Sequence, residues 1–212
     1  MSLPGLYAVV DAEVATAHGW PPVDLAAAIL AGGATLLQVR AKHLSSAAML
    51  EFSRQVVRLA APFGAQVIVN DRADLAVLAG AAGVHIGQDD LSPADARAIV
   101  GDGALVGVST HSSDQISEAA TAPVSYIAVG PVFSTSTKNT GYDAVGLDLV
   151  RRAAATAIDV VAIGGVTLER VPALIAAGAT SVAVITDLLA GGDPAARTRA
   201  FVDTAEAAKA AL

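Results

Sequence analysis

The sequence predicts an α/β fold, a single-domain (β/α)8 TIM barrel spanning residues 1–212. Three observations predict it. Short apolar runs alternate with longer, Ala-rich amphipathic segments from one end of the chain to the other. The pair recurs eight times within 212 residues, which matches the lower size range of this barrel. Glycines close helical segments and open the next strand in AGGATLL, AGAAGVHI and AAGATSVAV, as if one βα unit were repeated with Gly absorbing the turn. An open, doubly wound sheet is the competing arrangement. The count of eight favours the barrel, and no linker, low-complexity tract or charge block marks a second domain.

Taken in order, the apolar run Leu6–Val10 reads as the first strand, and Gly-Trp-Pro-Pro at 19–22 as a loop. A helix over Asp24–Leu30 ends before the Gly pair that introduces the strand Thr35–Val39. Ser45 or Ser46 can cap the helix Ser46–Ala61, which leads to the strand Gln66–Val69. The helix Ala73–Ala79 and the strand Val84–Ile86 follow. Ser92-Pro93 offers a cap with proline at the first helical position, opening Pro93–Val100. The strand Leu105–Val108, the helix Asp114–Ala120 and the strand Tyr126–Val129 come next. The helix Leu147–Ala155 precedes the strand Val160–Ile163, and Thr167 is the expected cap of the helix Leu168–Ala176. The strand Ser181–Ile185 and the helix Pro194–Ala211 complete the series.

Composition narrows the function. Hydrophobic residues make up 54% of the chain and aromatics only 4%, a mixture suited to buried parallel strands under Ala-rich helices and opposed to disorder. The net charge of −7 argues against a general nucleic-acid binder, because no surplus of Lys and Arg can neutralise a phosphate backbone. There is no cysteine, so disulfides, thiolate metal sites and cysteine nucleophiles are excluded. The start, MSLPGLYAVVD, does not read as a signal peptide, and no apolar stretch approaches the roughly 20 residues of a bilayer span. A cytoplasmic protein without a membrane partner is the expectation.

In a barrel of this kind chemistry sits at the carboxyl ends of the strands. Gln38, Arg40 and Lys42 stand at alternate positions of LLQVRAK and so face one side. Three donors on one face of a core strand are costly unless an anion accepts from them. Asn70 and Asp71 leave the third strand, and Gln88-Asp89-Asp90 follow the fourth. Ser109 and His111 follow the fifth, Thr135-Ser136-Thr137-Lys138 the sixth, Gly164-Gly165 the seventh and Thr186 the eighth. Singly, each has a plainer reading. Asn70-Asp71 suits a turn or cap, Asp89-Asp90 a solvated turn, and the STSTK run a polar loop. His85 reads as a core or supporting imidazole, and His18 and His43 as surface residues. Together, carboxylates and cations at successive strand exits point to a diphosphate held by a metal and basic side chains.

These segments also resemble the thiamine phosphate synthase family, over almost the whole chain. LLQVRAK is similar to that family's Q-x-R-x-K segment, and IVNDRADLA, GVHIGQDDL, GVSTHS, YIAVGPVFSTSTK, AIGG and VAVIT are similar to its later signatures, in its order. AIGG alone is weak; NDR…GVHIGQDDL…GPVF-x-T-x-TK is specific. The resemblance implies a (β/α)8 enzyme, a transferase of thiamine biosynthesis, that joins hydroxymethylpyrimidine diphosphate to a thiazole phosphate and releases diphosphate. It implies that the segment Gln38, Val39, Arg40, Ala41 and Lys42, with Asn70 and Ser109, holds the pyrimidine diphosphate. Asp71 and Asp90 would ligate magnesium (Mg2+). Thr135, Ser136 and Thr137 would contact the thiazole phosphate while Lys138 reaches the diphosphate. Gly165, Ile185 and Thr186 would complete the thiazole phosphate site, with Thr186 standing where the family commonly has serine. Arg40, Lys42, Ser109 and Lys138 would be the catalytic side chains. A homo-oligomer is expected. The family's route breaks the C–O bond first, so no enzyme nucleophile is required, in keeping with the missing cysteine. The rivals are a thiazole tautomerase, whose histidine segment His111 resembles, and a non-catalytic regulator that senses thiazole phosphate.

Overall fold

The computed structural model describes residues 3–134 and 143–212. Eight parallel strands close into a barrel in sequence order. They are β1 (Leu6–Asp11), β2 (Leu36–Arg40), β3 (Gln66–Asn70), β4 (Gly83–Ile86), β5 (Leu105–Thr110), β6 (Tyr126–Val129), β7 (Asp159–Ile163) and β8 (Ser181–Val184). Pairing of β1 with β8 completes the ring. The helices around it are α1 (Ala12–Ala17), α2 (Pro22–Ala31), α3 (Ser46–Ala60), α4 (Ala73–Ala79), α5 (Pro93–Val100), α6 (Ser113–Ala119), α7 (Gly146–Ala154), α8 (Val171–Ala176) and α9 (Pro194–Ala210).

The predicted strands are all present, several reaching one or two residues farther than their apolar runs. Apart from Gly83, the extra residues are polar. Asp11, Arg40 and Asn70 remain in register with a neighbouring strand at the mouth of the barrel. Strands buried on both faces read as unbroken apolar runs, so the pattern gives their centres better than their ends. One element goes beyond the sequence reading, and one expected cap is absent. The segment after β1 forms the helix α1, started by Asp11, whose carboxylate accepts from the Glu13 and Val14 amides. Thr167 precedes a 3-10 turn at Leu168–Arg170 and makes no side-chain capping bond; Asp187 accepts from the Leu168 amide instead. Ser45 and Ser92 cap α3 and α5 as expected.

Alternation along each strand sorts the core into two layers. Ala8, Val10, Leu37, Val39, Ile127 and Val129 pack outward against the helices. Tyr7, Val9, Leu36, Ile68, Tyr126, Ala128, Val161 and Ala183 fill the barrel interior. The interior is therefore a packed plug with its polar residues at the top. Gly107 on β5 makes room within it: a Cβ there would lie 1.9 Å from Cζ of Tyr126.

Candidate active site

The strand ends surround a cavity of about 320 Å³. Gln38, Arg40, Lys42, Asn70, Asp71, Asp90 and Ser109 line one side, and Gly164, Gly165, Ile185 and Thr186 line the opposite side. Residues 38 and 40 of β2 and 42 just beyond it share a face and reach the cavity, while Leu36 on the same face lies deeper in the barrel interior. Val39 and Ala41 alternate the other way. Both are buried in the layer beneath the helices and do not line the cavity. Thr135, Ser136, Thr137 and Lys138 lie outside the described residues.

Arg40 enters the cavity already paired. Its guanidinium donates to the carboxylate of Asp11, which is 3% exposed. Asp11 divides its two oxygens between the α1 amides and Arg40, so one buried carboxylate fixes both a helix and a cation. Nothing in the sequence pattern marked Asp11 as part of the site. A lone aspartate ending an apolar run was the available signal, and its partner appears only through the β1–β2 register, where Asp11 faces Arg40.

Asp71 adopts a φ of 63°, in the left-handed region that few side chains other than Asn and Asp enter. That turn at the end of β3 brings its carboxylate to Lys42, with Nζ 3.1 Å away, and to Asp90. The Asp90 carboxyl is pushed above the usual carboxylate range, first by burial, with the Asp71 carboxyl beside it adding to the shift. The Gly87 amide, 2.7 Å from Asp90, and the more distant Lys42 oppose the rise. Two carboxylates held side by side at the cavity form a donor set for a cation. Oxygen ligands from two carboxylates, with further positions left to phosphates and water, are what magnesium takes. No group of three or more metal-binding side chains occurs among the described residues, so the pair does not form a closed metal cage.

The opposite wall is built from backbone. Gly164 and Gly165 have φ values of 96° and 63°. A Cβ on Gly164 would lie 2.5 Å from Pro131, so β6 and β7 approach too closely there for a larger residue. Arg170 braces this loop, donating to the Gly165 carbonyl and stacking 4.3 Å above the Phe133 ring.

A family profile described as Thiamine monophosphate synthase matches residues 6–188. The chain belongs to the thiamine monophosphate synthase family. It is an enzyme of the transferase class, as its relatives' names indicate. The thiamine-phosphate synthase of Koribacter versatilis is 45% identical over 95% of this chain and 96% of that protein. The corresponding protein of Methanoculleus marisnigri is 39% identical, with 97% of each chain covered. Among solved structures, the thiamine phosphate pyrophosphorylase from Pyrococcus furiosus superposes with a TM-score of 0.87 at 27% identity, over 96% of both chains. A 3-hexulose-6-phosphate synthase, at 18% identity and a TM-score of 0.67, shares the fold.

The histidines separate as follows. His18 and His43 are exposed. His85 is mostly buried and lines the cavity, bonded to Tyr126 and Ser109. His111 lines the cavity and its Nδ1 contacts the Gly130 carbonyl. In this synthase-family barrel, then, the polar residues with the strongest sequence signal converge on one mouth. The tyrosines below them carried no signal beyond that of core aromatics.

Proposed function

We propose that the protein is a thiamine-phosphate synthase that condenses 4-amino-2-methyl-5-hydroxymethylpyrimidine diphosphate with 4-methyl-5-(2-phosphoethyl)thiazole, or its carboxylated form, releasing diphosphate. One observation carries the reading. A single cavity has cations, amides and a carboxylate pair on one wall and a glycine-rich loop with a hydroxyl on the other. Two anionic substrates can be held there from opposite sides, which turns a two-molecule encounter into an oriented one.

Arg40, Lys42 and the Gln38 and Asn70 amides donate to the diphosphate as its negative charge grows on leaving. Preorganised donors aimed at developing charge are the largest common source of catalysis. Lys138 joins them in this reading. Asp71 and Asp90 hold magnesium, which when bound neutralises charge on the leaving group. The amides of the 164–165 loop and the Thr186 hydroxyl orient the thiazole phosphate, as loops after the last two barrel strands commonly do. Bond cleavage ahead of bond formation gives a pyrimidine-methyl cation that the thiazole nitrogen captures, so the protein supplies no nucleophile.

The carboxylate pair favours this reading over a tautomerase, which has no diphosphate to neutralise, and over a passive sensor. The reading carries a cytoplasmic location with it, and no helix among the described residues is long and apolar enough to cross a membrane. It also carries self-association, supported by the exposed apolar side chains of Phe63 just after α3, Val77 and Leu78 on α4 and Ile99 on α5. The deciding experiment mixes purified protein with both substrates and magnesium and follows thiamine phosphate by chromatography. Product that requires both substrates and disappears on chelation is expected. Isomerised thiazole without condensation, or binding without any product, overturns the reading.

A further inference from the structure

Five side chains from five strands form a hydrogen-bonded chain across the barrel interior. Gln38 Nε2 donates to the Tyr7 hydroxyl at 2.8 Å. The Tyr7 and Tyr126 hydroxyls are 2.9 Å apart. Tyr126 lies 3.1 Å from Nδ1 of His85, whose Nε2 is 2.9 Å from the Ser109 hydroxyl. Gln38, Tyr7, His85 and Ser109 line the cavity, and Tyr126 lies beneath it, fully buried. Its ring stacks on His85 at 15° and meets Tyr7 edge-on at 88°.

With one proton on the His85 ring and Gln38 donating to Tyr7, the chain has one proton order with Nε2–H and two with Nδ1–H, which differ only in whether Tyr7 or the fully buried Tyr126 keeps a hydroxyl proton with no acceptor. In the outward order, with Nε2–H, Gln38 donates to Tyr7, Tyr7 to Tyr126, Tyr126 to Nδ1 of His85, and Nε2–H of His85 to Ser109. The Ser109 proton is then left for the open end of the chain, at the cavity. In both inward orders Ser109 donates to Nε2 and Nδ1–H donates to Tyr126. Either Tyr126 donates to Tyr7, whose own proton then gains no acceptor within the chain, or Tyr7 donates to Tyr126, whose proton gains none. Stranding a hydroxyl proton on a residue 1% exposed, as Tyr7 is, or on the fully buried Tyr126 is costly, so the outward order prevails. Burial holds both tyrosines well above the usual range for losing a proton, so each keeps the hydrogen it must donate.

We propose that Tyr126 is a positioning residue: its hydroxyl, held between Tyr7 and His85, fixes the neutral Nε2–H tautomer of His85 and so turns the Ser109 proton toward an acceptor oxygen on the bound pyrimidine diphosphate. The identity of that oxygen's owner rests on the proposed function; the tautomer does not. Gly107 belongs to the device, since only a residue without Cβ leaves space for the Tyr126 hydroxyl end.

The test is nitrogen-15 NMR of histidine-labelled protein, with steady-state kinetics alongside. Wild-type His85 is expected to show a protonated Nε2 and an unprotonated Nδ1. Tyr126→Phe keeps both ring contacts and removes the hydroxyl, so its His85 should become a mixture of tautomers. The same variant should lose about tenfold in kcat with KM nearly unchanged, because only a donor aimed at developing charge is misdirected. In a Ser109→Ala background the Tyr126→Phe change should cost no further activity. A wild-type His85 protonated on Nδ1 overturns the proposal, with or without a folded variant. So does an unchanged tautomer in Tyr126→Phe, or a rise in KM at constant kcat. A tautomer that shifts as expected in a protein that forms no thiamine phosphate upholds the proton order and overturns the proposed function instead.

Discussion

Asp11 and Arg40 face one another in register at the ends of β1 and β2, and their side chains form an ion pair at the rim of the cavity. Asp11 is almost fully buried while Arg40 keeps 15% of its side chain exposed, so the carboxylate is the fixed member and the guanidinium the working one. Asp11→Asn retains an oxygen to cap α1 and removes the charge that holds Arg40. We expect about 2 kcal/mol of lost stability, the scale of a hydrogen bond to a charged group, read from urea unfolding midpoints. Turnover should fall about tenfold or more, because a cation free to swing no longer presents a preorganised field. A variant with full turnover would show that Arg40 needs no guide.

Arg72 explains a second part of the sequence signature without lining the cavity. It donates to the Asp74 carboxylate at 2.9 and 2.6 Å and to the Ser46 hydroxyl at 2.9 Å, tying α4 to the start of α3. The bond from Arg72 is the main reason that the Asp74 carboxyl lies below its ordinary range. A carboxyl whose folded value is depressed adds stability above its unfolded value, near pH 4, and loses that stability as the pH falls through the folded value. Both side chains are about half exposed, so solvent screening limits the contribution to a few tenths of a kcal/mol. Arg72→Ala should remove that acid-dependent increment, measured as the difference in unfolding midpoint between pH 7 and pH 3. It should change KM for either substrate little.

The cavity's polar rim was legible because strand alternation turns a linear pattern into a face. Gln38, Arg40 and Lys42 are spaced by two, and the structure places all three on the cavity. The same rule separates Val39 and Ala41, which sit in the layer below the helices. What the sequence hid depends on register between strands distant along the chain. Asp11 meets Arg40, and Tyr7 meets Tyr126 across the barrel, only once the sheet closes. Tyr7 and Tyr126 sit in apolar runs, where an aromatic signals packing, and their hydroxyls give no periodic signature. The helix α1 was equally hidden: AEVATA has no apolar stripe, and its start depends on the Asp11 cap.

Gly107 offers a test of packing at the centre of the barrel. A methyl group there would overlap the end of the Tyr126 ring, with Cζ at 1.9 Å and the hydroxyl at 2.4 Å. Tyr126 is fully buried and engaged by Tyr7 and His85, so it cannot shift without disturbing those contacts. Gly107→Ala should therefore cost about 3 kcal/mol, at the upper end of overpacking effects, read by chemical denaturation. Pairing it with Tyr126→Leu, which removes the ring atoms at 1.9 and 2.2 Å as well as the hydroxyl, should cost less than the sum of the two single losses. Additive losses would show that the clash is relieved elsewhere.

Asp71 and Asp90 give the prediction that separates function from folding. The Asp71 backbone is held at φ 63°, a conformation that Ala tolerates poorly and Gly adopts freely. Asp71→Gly should thus be more stable than Asp71→Ala by about 1 kcal/mol, while both lose most turnover. The lost ion pair with Lys42 is partly exposed and should cost under about 1 kcal/mol. Ligand linkage supplies an independent reading. Magnesium with inorganic diphosphate should raise the melting temperature of the wild-type protein, by about 2.7 kcal/mol of added stability at a hundredfold excess over Kd. Neither Asp71→Gly nor Asp90→Asn should show that rise, although each stays folded. Equal stabilisation of wild type and both variants would place the cation elsewhere, and full turnover at low magnesium would remove the carboxylate pair from the chemistry.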